Sequence, residues 1–230
     1  MNTLNFDLKN IDAAIVDLDG TTIDTIADFL VALNRMLDDV SLPHISADAI
    51  ELMVGKGSEH LIRSVLRHVS GKDADEVLSD AAWQSYTRHY LAINGQHATV
   101  YPGVIEGLRA LREQGVRLAC LTNKPNAFAK PLLAEKELSG FFEFAFGGDT
   151  FERKKPDPLP LLKTCEALGT QPSRTLMIGD SSNDAQAARA AGCPVVLVTY
   201  GYNHGEPVRE VNADGFVDSI AELAARMRAA

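Results

Sequence analysis

From Tyr101 onward the chain alternates short apolar runs with amphipathic stretches, and this alternation limits the possible folds more than any other feature. "PGVIEGLRALREQG" (102–115) opens with the proline of a helix start and closes with the glycine of a helix end. "VRLACLTN" (116–123), "FFEFAFGGD" (141–149), "TLMIGD" (175–180) and "PVVLVTYG" (194–201) read as strands, with helical stretches between them. Strands and helices in such alternation call for parallel strands joined by right-handed crossovers, hence an α/β doubly wound sheet. One further strand, "AAIV" (13–16), stands far upstream. The intervening block is helical: "TIADFLVALNRMLDDV" (25–40), "ADAIELMVG" through "HLIRSVLRHV", and "DADEVLSDAAWQSYTRHYLAI" all carry apolar residues at helical spacing, and no convincing strand is legible in it. The expected organisation is a discontinuous core of residues 1–21 and 96–230 with an all-helical insert at 22–95.

At 230 residues the chain is long enough for one sizeable core with a smaller companion. A hydrophobic fraction of 46% and a charged fraction of 23% describe an ordinary globular protein. The net charge of −9 and the absence of a Lys/Arg-rich run argue against nucleic acid as a partner, while a small anion remains compatible if local cations or a metal reverse the field in one cleft. Cys120, Cys165 and Cys193 are odd in number, widely spaced and form no CxxC, which suits buried free thiols in a reducing compartment. The N-terminus has no basic patch followed by an apolar stretch, and no run of eighteen apolar residues occurs, so neither a membrane anchor nor a leader is expected and the setting is taken as cytoplasmic. Oligomeric state is not legible.

In doubly wound sheets ligands bind beyond the carboxyl ends of the strands. Here those ends carry "DLDGT" (17–21), "LTNK" (121–124) and "GDSSND" (179–184), with "RKKPDP" (153–158) between the last two. Alone, Asp19-Gly20 reads equally well as a turn. Together, the segments bring carboxylates, a hydroxyl and a lysine to one rim. Residues two apart on a strand project to the same side, so Asp17 and Asp19 crowd one region. Clustered carboxylates with only oxygen donors suit Mg²⁺; Asp17 and Asp180 are the expected side-chain ligands, and Asp184 either ligates directly or holds a metal-bound water. A metal beside carboxylates invites phosphate, with Thr122 donating its hydroxyl, Asn123 its backbone N–H, and Lys155 the compensating charge. No GxxxxGK[ST] is present, so the phosphate is not held by a P-loop. A carboxylate can attack phosphorus: Asp17 is the candidate nucleophile, and Asp19 the group that protonates the leaving alkoxide and then takes a proton from water.

These four segments, in this order, resemble the motifs of the haloacid dehalogenase-like hydrolase superfamily over essentially the whole chain. The resemblance implies a Rossmann-like core, a phosphorylated Asp17, Mg²⁺ held by the Asp17 carboxylate, the Asp19 backbone carbonyl and Asp180, and a helical cap made by the insert. Asp19 points to phosphate esters, since the dehalogenases that name the superfamily lack it. Lys56 in "MVGKGSEHL" raises the phosphonatase branch, where a cap lysine forms a Schiff base, but a small residue usually replaces Asp19 there. "YPGVIEGLRALREQG", "LTNKP", "KKPDPLPL", "MIGDSSNDAQAARAAG" and "VTYGYNHGEPV" most resemble the bacterial phosphoglycolate phosphatase branch. That resemblance implies hydrolysis of a small phosphate monoester, with pyrophosphate, sugar phosphates and amino-sugar phosphates as neighbouring substrates. A phosphomutase or a non-catalytic cation-binding module are the alternatives. For a substrate that carries a carboxylate, the backbone amides of Gly55, Lys56 and Gly57 are candidate contacts, the Lys56 side chain itself reading more readily as an exposed loop charge.

The other polar residues have plainer expectations. His44, His60, His68, His89, His97 and His204 show no HxH or HExxH pairing, so surface or capping roles are expected rather than zinc. Trp83, Tyr86 and Tyr90 lie at helical spacing and read as packing. Lys154 reads as a solvated charge, Asn183 as a support or turn residue, and Tyr202 as a residue at the rim.

Overall fold

All four side chains of Ala13–Val16 (β1) are fully buried, which demands cover on both faces of the strand. The computed structural model, which describes residues 4 and 6–229, supplies that cover. After β1 come a two-residue strand, Ile23–Asp24 (β2), and four helices: Ile26–Asp39 (α1), Ala47–Glu51 (α2), Ser58–Ser70 (α3) and Glu76–Ile93 (α4). Thr99–Val100 (β3) then leads into Val104–Glu113 (α5), Arg117–Leu121 (β4), Asn126–Glu135 (α6), Phe144–Phe146 (β5) and Leu159–Leu168 (α7). Thr175–Gly179 (β6), Ser182–Ala191 (α8), Val195–Val198 (β7), Gly215–Val217 (β8) and Ile220–Ala229 (α9) complete the chain.

Six strands form one parallel sheet in the order β5-β4-β1-β6-β7-β8. Alternation along each strand divides the side chains between two layers. Ala14, Val16, Leu118, Cys120, Leu176, Ile178, Val196 and Val198 pack with α5, α6 and α9 on one face; Ala13, Ile15, Ala119, Leu121, Met177, Val195 and Leu197 pack with α7 and α8 on the other. The continuous apolar runs in the sequence are the signature of this double burial. Strand order reverses around β1, between the crossovers to β4 and β6, and the C-terminal ends of these three strands therefore face one crevice.

The helical block keeps a hydrophobic cluster of its own, built from Phe29, Leu33 and Met36 of α1, Leu61, Val65 and Leu66 of α3, and Tyr86 and Tyr90 of α4. Phe128 of α6 and Tyr202 join this cluster from the sheet side. The strand-free reading of residues 22–95 needs correction: β2 lies in that block and pairs antiparallel with β3, Ile23 opposite Val100 and Asp24 opposite Thr99. Two residues carry no periodicity, so only the pairing of the two connecting segments creates these strands. β8, also unread in the sequence, is a short edge strand held beside β7. The three cysteines are buried and free. Among the described residues no helix is long and apolar enough to cross a membrane.

Asp28 of α1, 0% exposed, anchors the second connecting segment by accepting the backbone N–H of Gly95 at 2.6 Å and of His97 at 2.8 Å. Asp28→Ala strands both donors, and a urea titration is expected to show a loss of about 3 kcal/mol. A loss below about 0.5 kcal/mol would mean that water replaces the carboxylate at no cost.

Candidate active site

The loop after β1 turns sharply. The N–H groups of Thr22 and Ile23 donate to the Leu18 carbonyl, and the Gly20 N–H donates to Ile23. Gly20 adopts φ +81, and a Cβ there would lie 2.3 Å from Asp180 Oδ2, so this turn needs glycine for both its conformation and the approach of the second carboxylate. The turn leaves Asp17 at the mouth of the crevice and Asp19 on the side of the helical block.

Asp17, Asp180 and Asp184 each place a carboxylate oxygen within 4.8 Å of the others, and all three residues are buried. One ammonium serves the group. Lys155 Nζ lies 2.9 Å from Asp17 Oδ1 and 2.7 Å from Asp184 Oδ1, and donates to the Leu121 carbonyl at 3.0 Å. Burial opposes the Lys155 charge, but Asp17 and Asp184 outweigh it and hold the ammonium charged above its ordinary range. Asp17 and Asp180 shift upward as well, which for a carboxylate favours the neutral form. Burial pushes Asp17 up from 3.8 to about 7, with Lys155 pulling down and Asp184 adding to the rise. Burial likewise raises Asp180 well above its ordinary value, reinforced by Asp184 and Asp17. Negative charge exceeds positive in a desolvated place, and the donors are all oxygen: this is the environment that a hard divalent cation relieves.

The three carboxylates are engaged differently. Asp184 is the most committed: Oδ1 receives Lys155, and Oδ2 receives the Ser181 hydroxyl and the backbone N–H of Asp180 and Ser181, closing a capping box at the start of α8. Asp180 accepts one hydrogen bond on each oxygen, from the Thr21 hydroxyl at 2.9 Å and from the Tyr202 N–H at 2.8 Å. The protein contacts of Asp17, from Lys155 and the Leu18 N–H, both fall on Oδ1.

Asp19 sits in a separate environment. Its Oδ1 accepts from the Thr25 hydroxyl at 2.7 Å and pairs with Lys124 Nζ at 2.8 Å. The Lys124 ammonium lies 4.4 Å from the Phe29 ring centroid and 4.9 Å from that of Tyr90, between the sheet and the helical block. Thr122 accepts the Lys124 N–H at its hydroxyl oxygen, leaving that hydroxyl free to donate. The Asn123 side chain clamps neighbouring loops: its Nδ2 donates to the carbonyls of Lys155 and Gly55, and its Oδ1 accepts the Lys155 N–H.

A cavity of about 30 Å³ is lined by Asp17, Asp19, Thr122, Asn123, Lys124 and Asp180 from the sheet side, with Phe29, Gly55, Gly57, Ser58 and Leu61 opposite. Lys155 and Asp184 stand directly behind Asp17. Of the residues singled out from the sequence, Lys56 is not brought to the cavity: it is exposed and does not line it. Gly55 and Gly57 do line it, but Gly55 directs its carbonyl at Asn123 and Asn183. His204, expected at the surface, is half-buried with its Nε2 3.1 Å from the Asn183 amide. Tyr202 reaches further than a rim residue, because its hydroxyl accepts the Thr25 N–H and donates to Asp24 while its own N–H holds Asp180. Lys124 closes the segment "LTNK", and a charged residue just beyond a buried strand is the signal in the sequence that points to it.

The profile of the family described as haloacid dehalogenase-like hydrolase matches residues 14–198, and the chain belongs to this family. It is a hydrolase similar over most of its length to phosphoglycolate phosphatases. The phosphoglycolate phosphatase of Thiobacillus denitrificans is 44% identical over 214 residues, covering 93% of this chain and 94% of that protein. That of Nitrosospira multiformis is 44% identical over 212 residues, covering 92% and 93%. A crystal structure described as a predicted phosphoglycolate phosphatase from Haemophilus somnus superposes with a TM-score of 0.90 at 31% identity, covering 94% of this chain and 98% of that one.

The raised proton affinity of Asp17 and Asp180 makes stability depend on pH. Between the unfolded value of 3.8 and the folded value of about 7 for Asp17, the folded chain holds protons that the unfolded chain has released, so stability falls as pH rises through this window. For the ion-free protein, urea titrations are expected to show unfolding free energy dropping on the order of 1 kcal/mol per pH unit from about pH 5 to about pH 7. Added Mg²⁺ should restore more stability at the upper end than at the lower. A flat profile would contradict the crowding of unrelieved carboxylates.

Proposed function

We propose that this protein is a Mg²⁺-dependent phosphatase that hydrolyses 2-phosphoglycolate to glycolate and phosphate, in the cytoplasm, through a phosphorylated Asp17. The observation that carries the reading is the division of labour between two carboxylates two residues apart. Asp17 is backed by Lys155 and presents a free oxygen, while Asp19 is held by Thr25 and Lys124 beside it. The relatives named phosphoglycolate phosphatase support the substrate assignment.

In this reading the Asp17 and Asp180 carboxylates and the Asp19 carbonyl hold the ion, which when bound offsets the repulsion between phosphate and carboxylate. Asp184, with both oxygens engaged, keeps Lys155 and the start of α8 in place. The Thr122 hydroxyl and the Asn123 N–H orient the phosphoryl oxygens, and Lys155 balances their charge. Asp17 Oδ2 attacks phosphorus, and the carboxyl proton of Asp19 goes to the departing glycolate oxygen. Asp19 then takes a proton from the water that opens the aspartyl-phosphate. The helical block α1–α4 is the cap, which covers the cavity and moves to admit the substrate.

Initial rates over a panel of 2-phosphoglycolate, pyrophosphate, sugar phosphates and an aryl phosphate test the substrate, with EDTA as the metal control. Turnover on 2-phosphoglycolate that exceeds the others and vanishes with EDTA is expected; activity undiminished by EDTA would contradict the reading. Asp17→Asn should fold normally and lose at least about 1,000-fold in kcat. Asp19→Asn should cost about 100-fold on alkyl esters but under about 10-fold on aryl esters, whose leaving groups need no proton. Equal losses on both classes would remove Asp19 from acid catalysis.

A further inference from the structure

We propose that Lys124 determines substrate choice by receiving the carboxylate that 2-phosphoglycolate carries beyond its phosphate; this rests on the substrate reading above. Among the described residues that line the cavity, Lys124 is the sole cation. Its side chain is 1% exposed, so its charge acts with little screening by solvent. Lys155, the other buried ammonium nearby, is occupied by Asp17, Asp184 and the Leu121 carbonyl.

Position supplies the second argument. To receive a proton, the leaving oxygen must come within hydrogen-bond reach of the Asp19 carboxyl, and Lys124 Nζ lies 2.8 Å from that carboxyl. The substrate carboxylate is bonded to the same carbon as the leaving oxygen, so covalent geometry holds its oxygens within about 3–4 Å of that atom. An ammonium has three N–H donors and can serve Asp19 and a second carboxylate together. The Phe29 and Tyr90 rings, with centroids 4.4 and 4.9 Å away, hold the ammonium on the cap side of Asp19. The alternatives on the cap side are poorly placed. Lys56 is exposed and outside the lining, and the half-buried Lys154, near Gly57, does not line the cavity.

The test compares 2-phosphoglycolate with ethyl phosphate, its counterpart lacking the carboxylate, in wild type, Lys124→Met, Lys56→Met and Lys154→Met. Asp19 loses a partner in Lys124→Met, so rates on both esters fall there, and the inference is read from the ratio of the two kcat/KM values. That ratio should drop roughly 30- to 100-fold in Lys124→Met, the effect of losing one charge-assisted hydrogen bond, and hold in the other two variants. A ratio within about threefold of wild type in Lys124→Met overturns the inference and leaves the substrate reading standing. Wild-type enzyme that shows no preference for 2-phosphoglycolate over ethyl phosphate defeats the substrate reading, and the inference with it. If Lys124→Met does not fold, wild-type inhibition decides: phosphonopropionate, the non-hydrolysable isostere, should bind at least about tenfold better than its amide, and equal inhibition overturns the inference.

Discussion

Lys155 Nζ stands between Asp17 and Asp184 at 2.9 and 2.7 Å, with Asp180 alongside and almost no solvent reaching any of them. A single ammonium cannot balance three buried carboxylates, and much of the surrounding architecture serves to hold that imbalance in place. Asp184 spends both oxygens on Lys155 and on the start of α8, so one residue ties the cation to the helix that follows β6. Tyr202 brings a backbone donor to Asp180 and a hydroxyl to the segment that leaves the sheet for the helical block. Glycine at position 20 keeps the first loop close enough for Asp180 to face Asp17. The strain of the charge cluster is thus carried by fixed loops at strand ends, which is how a site keeps groups poised for a cation and a phosphate.

The second organising contact joins the helical block to the sheet. Phe29 and Tyr90 lie over Lys124, Asn123 holds the Gly55 carbonyl, and Phe128 enters the aromatic cluster with Tyr86 and Tyr90. Each contact pairs a residue of the helical block with one from the loop after β4 or the helix that follows it. The position of that block and the surroundings of Asp19 are therefore physically linked. Asp17 depends on the sheet alone, whereas Asp19 depends on both layers.

The fold was legible where periodicity was strong. Apolar runs such as Ala13–Val16 and Val195–Val198 are strands because parallel strands are covered on both faces, and the helices of the insert follow their 3.6-residue spacing. β2, β3 and β8 were not legible, since two or three residues carry no pattern and become strands only when a neighbour supplies the ladder. Within the site, the aspartates, Thr122 and Lys155 were marked by their places at strand ends. The Lys56 side chain is exposed, as a loop charge between two glycines is expected to be, whereas the buried cation beside Asp19 is Lys124, to which residue order alone gives no role.

Sequence by itself determined the layered α/β class and the chemical types gathered at one rim, because burial pattern and strand alternation are local properties that survive without coordinates. Tertiary structure alone decided which ammonium faces which carboxylate, that Asp184 is spent on Lys155 and α8, and that Lys124 lies beneath the aromatic rings of the helical block. Those assignments depend on distances between segments as far apart as Asp19 and Lys124, and electrostatic interaction in a desolvated site changes sharply over a few ångströms that residue order does not encode.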